Sequence, residues 1–383
     1  MIINDMEDLK KLDLDIKEDS FELVQVEETL KDEKFKGEPI GFLKDAWIRF
    51  KESKPSMISA IIIAIIVIMS IVGPMINPYT YRQQHVELSL MPPRIPGLEK
   101  MGIADGIKEV RADKANLEAR YGDSIVEVLG EETVTHQGKE TTMVKAKVDM
   151  YKHKEAKDAY FWFGTDSIGR DIWTRLWRGT RVSLFIGVMS VLINLIIGVV
   201  YGAISGYFGG WTDMIMQRIL EILTGIPELV VIILLIMYMG EGVVPFIIAL
   251  VMTGWIGMSR MIRAQFYRYK GMEYVLASRT MGAKDRTLIF RHILPNAIGP
   301  TVTQATLAIP SAIFAESQLS YLGLGLQAPE PSIGVLLSEG QKVLLNYPHL
   351  IFFPAIIISV LMLAFNLFGN GLRDAFDPTL RGQ

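Results

Sequence analysis

Apolar residues in this chain come in long blocks, with the charges held between them. Six blocks approach the ~20 apolar residues that a helix needs to cross a bilayer core. They are residues 57–76, 183–205, 219–239, 243–261, 298–319 and 351–372. Asn77-Pro78 ends the first, Gly225 and Pro227 interrupt the third, and Pro310 interrupts the fifth. Such breakers are tolerated where neighbouring helices re-satisfy the freed backbone groups. This segregation argues against a single soluble core and predicts an all-α polytopic membrane protein with six transmembrane helices.

The intervals between blocks carry their own patterns. Leu43, Ala46, Trp47 and Phe50 fall at helical spacing, with Lys44, Arg49 and Lys51 between them. That predicts an amphipathic helix over 41–56, lying in the headgroup layer against membrane lipid with its apolar face down. Residues 1–40 are rich in Asp and Glu and lack the basic start and early apolar run of a signal peptide. They read as a mobile acidic tail, a plain solvated extension. Residues 78–160 form the longest polar interval and include the Pro-rich run Met91-Pro92-Pro93-Arg94-Ile95-Pro96-Gly97. Further on, 126–135 is strand-like, and Val144, Ala146, Val148 and Met150 alternate with Lys145, Lys147 and Asp149. With His136-Gln137-Gly138-Lys139 as the turn, the interval predicts a small α+β insert holding a β-hairpin. Residues 161–383 then form the membrane core.

Charge placement orients the spans. Arg260, Arg263, Arg268, Lys270, Arg279, Lys284, Arg286 and Arg291 face only Glu273 and Asp285 in one loop, and Lys44, Arg49, Lys51 and Lys54 precede the first block. Basic loops stay in the cytoplasm. The expected topology therefore puts both termini and the 263–295 loop inside, and the 78–160 insert outside. The net charge of −3 over 383 residues is too small for a nucleic-acid binder. There is no cysteine, and the five histidines (His85, His136, His153, His292, His349) show no metal-ligand spacing, so no metal site is expected.

The basic loop has internal structure. Helical propensity holds from Glu273 to Met281, Gly282 suits a left-handed helix end, and a second helical stretch runs to a stop at Leu294-Pro295. Two short helices joined at a glycine make an elbow. Ala277, Ser278 and Ala283 let a partner approach closely, and Leu276 and Met281 are apolar knobs ringed by arginines such as Arg279.

This spacing resembles the EAA loop of ABC-transporter permeases, in which a Glu-Ala-Ala triplet, a Gly and a Leu-Pro pair sit at fixed offsets. Ala277, Gly282, Leu294 and Pro295 match. Leu276 stands where the Glu is expected, Ser278 at the second Ala, and His292 where an aliphatic residue is usual. The resemblance implies a coupling helix seated in a cleft of a separate ATPase subunit. Because Leu276 replaces the Glu, docking is expected to rest on shape and apolar knobs more than on that carboxylate.

A second set of residues narrows the family. Phe163-Gly164-Thr165-Asp166-Ser167-Ile168-Gly169-Arg170-Asp171 is followed by Arg175-Leu176, Gly179, Arg181 and Ser183-Leu184. Together with Ser320-Tyr321-Leu322-Gly323-Leu324-Gly325, Asn370-Gly371-Leu372-Arg373-Asp374 and Asp377-Pro378, these resemble the second permease subunit of dipeptide/oligopeptide importers. The implied fold is that of a type I ABC importer permease. The implied partners are a second permease subunit, two cytoplasmic ATPase subunits that bind ATP and Mg, an extracytoplasmic peptide-binding protein, and the peptide itself. The same permease type could import nickel or a glycoside, and a membrane scaffold for the external domain is a further alternative.

Residues 164–170 have the frame of a phosphate loop, but Arg170-Asp171 stands where Lys-Ser/Thr is needed. They are read as a turn, with Asp166 capping the helix that enters the second span. No cofactor and no enzymatic activity are expected of this chain. Ionisable residues inside spans are costly and suggest function. Glu316 and Glu228, with Gln304 less firmly, are therefore candidates for a polar peptide pathway; interhelical hydrogen bonding is the competing role.

Overall fold

The computed structural model describes residues 42–136, 139–326 and 329–376. The expected acidic tail, two residues of the hairpin turn and the Asp377-Pro378 pair lie outside them. The chain divides into units of residues 1–44 and 45–383; only the start of helix α1 is described in the first.

Helix α1 (Phe42–Glu52) meets α2 (Lys54–Ile76) at Ser53. Pro55 sits in the first turn of α2, where its missing N–H costs nothing. The expectation that α1 lays its whole apolar face on lipid is corrected. Ala46 and Phe50 are buried against Phe368, Leu372 and Ala375 further along the chain, while Trp47 faces outward under Lys51. Small residues explain the choice: the facing helix offers Gly371 and Ala375, so the Phe50 ring fits between them.

The polar insert holds strands β1 (Ile107–Asp113), β2 (Ile125–His136) and β3 (Lys139–Asp149), with α3 (Lys114–Tyr121) between β1 and β2. The sheet is antiparallel in the order β1-β3-β2, and Val110 pairs with Ala146 and Ala112 with Val144. The hairpin matches the expectation; β1 is an addition. Its alternation is hidden by charge, since Glu109 and Arg111 point outward while Val110 and Ala112 join Leu117, Val144 and Ala146. A short helix α4 (Met150–His153) follows. The outward face is a ladder of exposed ion pairs, Glu109–Lys145 at 2.7 Å and Glu127–Lys147 at 2.8 Å. Such pairs contribute little stability and keep the face solvated. Met91, Val148, Tyr151 and Phe161 form the core that joins the insert to the chain entering the next helix.

Helix α5 (Ile172–Phe208) has 37 residues, about 55 Å at 1.5 Å per residue. It exceeds the expected 183–205 span by about three turns at its start, which carry Arg175, Arg178 and Arg181. Helices α6 (Gly210–Thr224) and α7 (Glu228–Met239) follow, bent by 77° at the expected break near Gly225 and Pro227. Helix α8 (Val243–Tyr269) packs along α5 in the most extensive helix pair of the fold. Gly198, Gly202 and Gly206 permit the approach. A Cβ on Gly206 would lie 2.6 Å from Phe266 Cβ, and one on Gly198 2.7 Å from Met258 Cβ. This is the small-residue repeat by which spans pack closely.

Helices α9 (Glu273–Thr280) and α10 (Asp285–Thr287) form the elbow. A π-helical turn over Leu288–Ile293 then leads into α11 (Leu294–Tyr321). The Leu294-Pro295 pair therefore starts a helix and is not a stop. A proline in the first turn needs no N–H bond, and the wider π turn accommodates its ring. Helix α12 (Ile333–Gln341) and helix α13 (His349–Phe376) complete the described residues. Among the described residues, α2, α5, α8 and α13 are long and apolar enough to cross a membrane, and the bent α6–α7 pair makes a fifth if it is one span. Helix α11 has the length but is diluted by Thr, Gln, Ser and Glu residues.

Candidate functional site

The elbow is built on an apolar seat. Val275, Leu288 and Ile293 are buried against Ala203, Tyr207, Ile262 and Phe266 at the ends of α5 and α8. Helix α9 closes with Gly282 at φ +83°, and Ala283 N–H donates to Ser278 O at 3.1 Å across the turn. That six-to-one bond is the Schellman closure expected at this glycine. Burial of Val275 sends its neighbours outward. Leu276 is 45% exposed and Met281 80%, and Ala277, Arg279 and Gly282 are exposed beside them. Ser278 and Ala283 are half-buried. Of the seven elbow residues, five are thus exposed and two half-buried.

Three features of the elbow were not evident from the sequence. Phe290 and Met272 add exposed apolar surface. Tyr207, in the last turn of α5, donates its hydroxyl to Asp285 and accepts from Arg279 Nη2 at 3.4 Å. Behind it, Asp213 of α6 accepts from Ser205, from Arg263 through two nitrogens, and from Tyr267 at 2.9 Å. These bonds tie α5, α6, α8 and the elbow to one another. A tyrosine at a helix end carries no local signal of this role.

The three pathway candidates do not converge. Glu316 is fully buried and accepts from Ser183 and Ser320, each at 2.7 Å, where α5, α11 and α12 meet. Glu228 is exposed in the first turn of α7, and Gln304 is exposed on α11. The open face of α11 carries Asn296, Gln304, Ser311 and Gln318 with Phe314. By contrast, α2 opens with Ile58, Ile61, Ile65 and Ile68, and α13 with Phe352, Ile356, Leu363 and Leu367. Lipid suits the second pattern and not the first.

The turn before α5 requires a correction. Asp171 caps α5, accepting from Thr174 N at 2.8 Å and Thr174 Oγ1 at 2.6 Å. Asp166 instead closes the preceding turn, accepting from Ile168 N and Arg170 N, and its other oxygen takes Arg170 Nε and Arg175 Nη1. Both arginines also reach Glu339 of α12. The helix begins at Ile172 and not directly after Asp166, so the second of the two aspartates stands at its end. Burial pushes the Asp171 carboxyl up to about 6, against the lowering effect of its bonds to Thr174 and Asn77. Among the described residues, no His, Asp and Glu side chains gather in a metal-binding set.

A projecting elbow, a close-packed helix core and an open polar helix face are the parts of a membrane transport subunit. Residues 198–382 match the model of the binding-protein-dependent transport system inner membrane component, and the chain belongs to that family. Residues 41–93 match the N-terminal TM domain of oligopeptide transport permease C. Over 343 residues the chain is 39% identical to the dipeptide transport system permease protein DppC of Bacillus subtilis (strain 168), covering 89% of this chain and 87% of that protein. It is also 39% identical over 349 residues to the oligopeptide transport system permease protein OppC of the same organism, covering 91% and 93%. The dipeptide permease DppC of Lactococcus lactis subsp. cremoris (strain MG1363) is 36% identical over 348 residues, covering 90% and 93%.

Proposed function

We propose that this chain is a permease subunit of an ATP-driven importer of oligopeptides or dipeptides, contributing half of the translocation pathway. It crosses the membrane six times, with α11 as the fifth span and the α6–α7 pair as the third. Both termini and the elbow are cytoplasmic and the sheet-bearing insert is extracytoplasmic. The partners are a second permease subunit, two ATPase subunits and an extracytoplasmic peptide-binding protein. The chain itself hydrolyses no ATP.

The observation that carries this reading is the elbow: apolar knobs held outward on a fixed seat, at the basic end of the spans. Motion of the ATPase would reach the bundle through it as rigid-body displacement. The open polar face of α11 supports placing Gln304 beside the pathway. Glu316 serves better as an interhelical staple, because its oxygens are already engaged by serines.

Co-purification tests the reading. Leu276→Asp with Met281→Asp places charge on two exposed knobs without touching the seat. The solubilised double variant is expected to lose its ATPase subunits and peptide uptake together. Gly282→Ala meets no atom within 4 Å but must hold φ +83°, a strain of ~1–2 kcal/mol that loosens the corner. Intact ATPase association and uptake in the double variant would defeat the docking assignment.

A further inference from the structure

A cavity of about 430 Å³ lies between α8, α11 and α13. That volume is in the range of small-molecule sites. Arg268, in the last turn of α8, and Arg373, in the last turn of α13, both line it. Each is exposed, and neither has an ion pair or hydrogen bond among the described residues; Arg268 only lies over the Tyr269 ring. Among the described residues, no Asp or Glu lines the cavity. Gln304 adds a side-chain amide on one wall, while Met261, Leu307 and Phe376 supply an apolar surface.

The cavity has a local origin. Both α8 and α13 pack on α11, and where they approach it α11 presents Gly299, Pro300 and Thr303. These short side chains leave a gap that a Leu or Phe would close. Two arginines from separate helices therefore line one partly apolar pocket. Guanidinium forks match the oxygens of a phosphate and form charge-assisted bonds with it. Basic pockets between spans at the cytoplasmic surface suit anionic headgroups.

We infer that this cavity binds the phosphate of an anionic phospholipid of the cytoplasmic leaflet between Arg268 and Arg373. An acyl chain leaves along Met261 and Leu307. The leaflet rests on the topology proposed above. The site is separate from the elbow and from the apolar outer faces of α2 and α13, where lipid contact needs no phosphate recognition.

The test is native mass spectrometry of the assembled transporter, released from bilayers holding equal phosphatidylglycerol and phosphatidylcholine. The wild-type assembly is expected to retain phosphatidylglycerol preferentially. The Arg268→Gln/Arg373→Gln variant is expected to bind it ~10-fold or more weakly, with Arg268→Lys/Arg373→Lys intermediate. Both positions are exposed, so retained partner subunits report intact folding. Equal retention by wild type and the Gln variant overturns the site, as does equal retention of the two lipids. Displacement of phosphatidylglycerol by a peptide with a free carboxylate, but not by its amide, would assign the arginines to the transported peptide instead. Lipid binding that appears only when the chain is ended at Phe376 would assign them to the following residues. Peptide uptake is measured separately, so loss of the lipid site leaves the importer reading standing.

Discussion

Arg175 has no solvent exposure and yet carries a charge, which makes its partners decisive. It donates to Asp166 and Glu339, and Arg170 reaches the same two carboxylates. Removing one member of a buried set leaves the others uncompensated, at a cost of ~3–5 kcal/mol. Arg175→Met is therefore expected to lower the thermal midpoint of the solubilised chain sharply, with Arg175→Lys recovering part of the loss. An unchanged midpoint would mean that water reaches these carboxylates. Asp171 carries a pH dependence. Its folded carboxyl titrates near 6 against an ordinary value of 3.8, because burial disfavours the charged form. The fold therefore holds the proton more tightly than the unfolded chain does. The stabilisation is complete below 3.8 and is lost as pH rises through 6. Between those values Asp171→Asn is expected to flatten the fall of the thermal midpoint with rising pH while keeping an oxygen for Thr174. The same downward slope in the variant would place the titration elsewhere. The sequence contains both aspartates five residues apart, and local pattern cannot say which one caps. That is decided by where α5 begins, and the Arg–Glu339 contacts that fix the turn come from a residue 164 and 169 positions later in the chain.

At the scale of elements, legibility followed period and composition. The β2–β3 hairpin and the break near Pro227 were readable because alternation and breakers are local signals. Strand β1 was not, because Lys108, Glu109 and Arg111 obscure a period carried only by Val110 and Ala112. The Leu-Pro pair was read as an end because proline punctuates helices, yet a π turn lets the chain continue through it. The Gly198-Gly202-Gly206 spacing was present but is invisible to hydropathy, since glycine neither raises nor lowers it. Its consequence is steric. A Cβ at Gly202 would collide with the Ser259 carbonyl, which is backbone and cannot swing aside. Gly202→Leu should therefore separate α5 from α8 at a cost of ~1–3 kcal/mol or more. Because both helices seat the elbow, ATPase co-purification is expected to fall along with chain yield. Wild-type yield and association would show that the helices shift without consequence.

For the molecule as a whole, movement at the elbow is useful only if the elbow is stiffer against the spans than against its partner. The apolar seat of Val275, Leu288 and Phe266 resists separation, but apolar contact is non-directional and permits sliding. Directional restraint comes from the polar pins. Tyr207 fixes Asp285 and Arg279 to the end of α5, and Asp213 fixes α6 to α8 through Arg263 and Tyr267. Tyr207→Phe deletes one pin and keeps the ring in the seat. A hydrogen bond to a charged group contributes ~1.5–3 kcal/mol. Its loss removes a directional restraint and leaves the apolar seat in place. The variant is expected to assemble normally and hydrolyse ATP at the wild-type rate, while peptide uptake per ATP falls ~3-fold or more. Asp285→Asn should weaken the same pin, and the double variant should be no worse than Tyr207→Phe alone, since residues sharing one interaction are non-additive. Reconstituted vesicles loaded with ATP report both quantities in one assay. If ATPase and uptake fall in proportion, Tyr207 serves only the integrity of the fold. If neither changes, the seat alone transmits the motion.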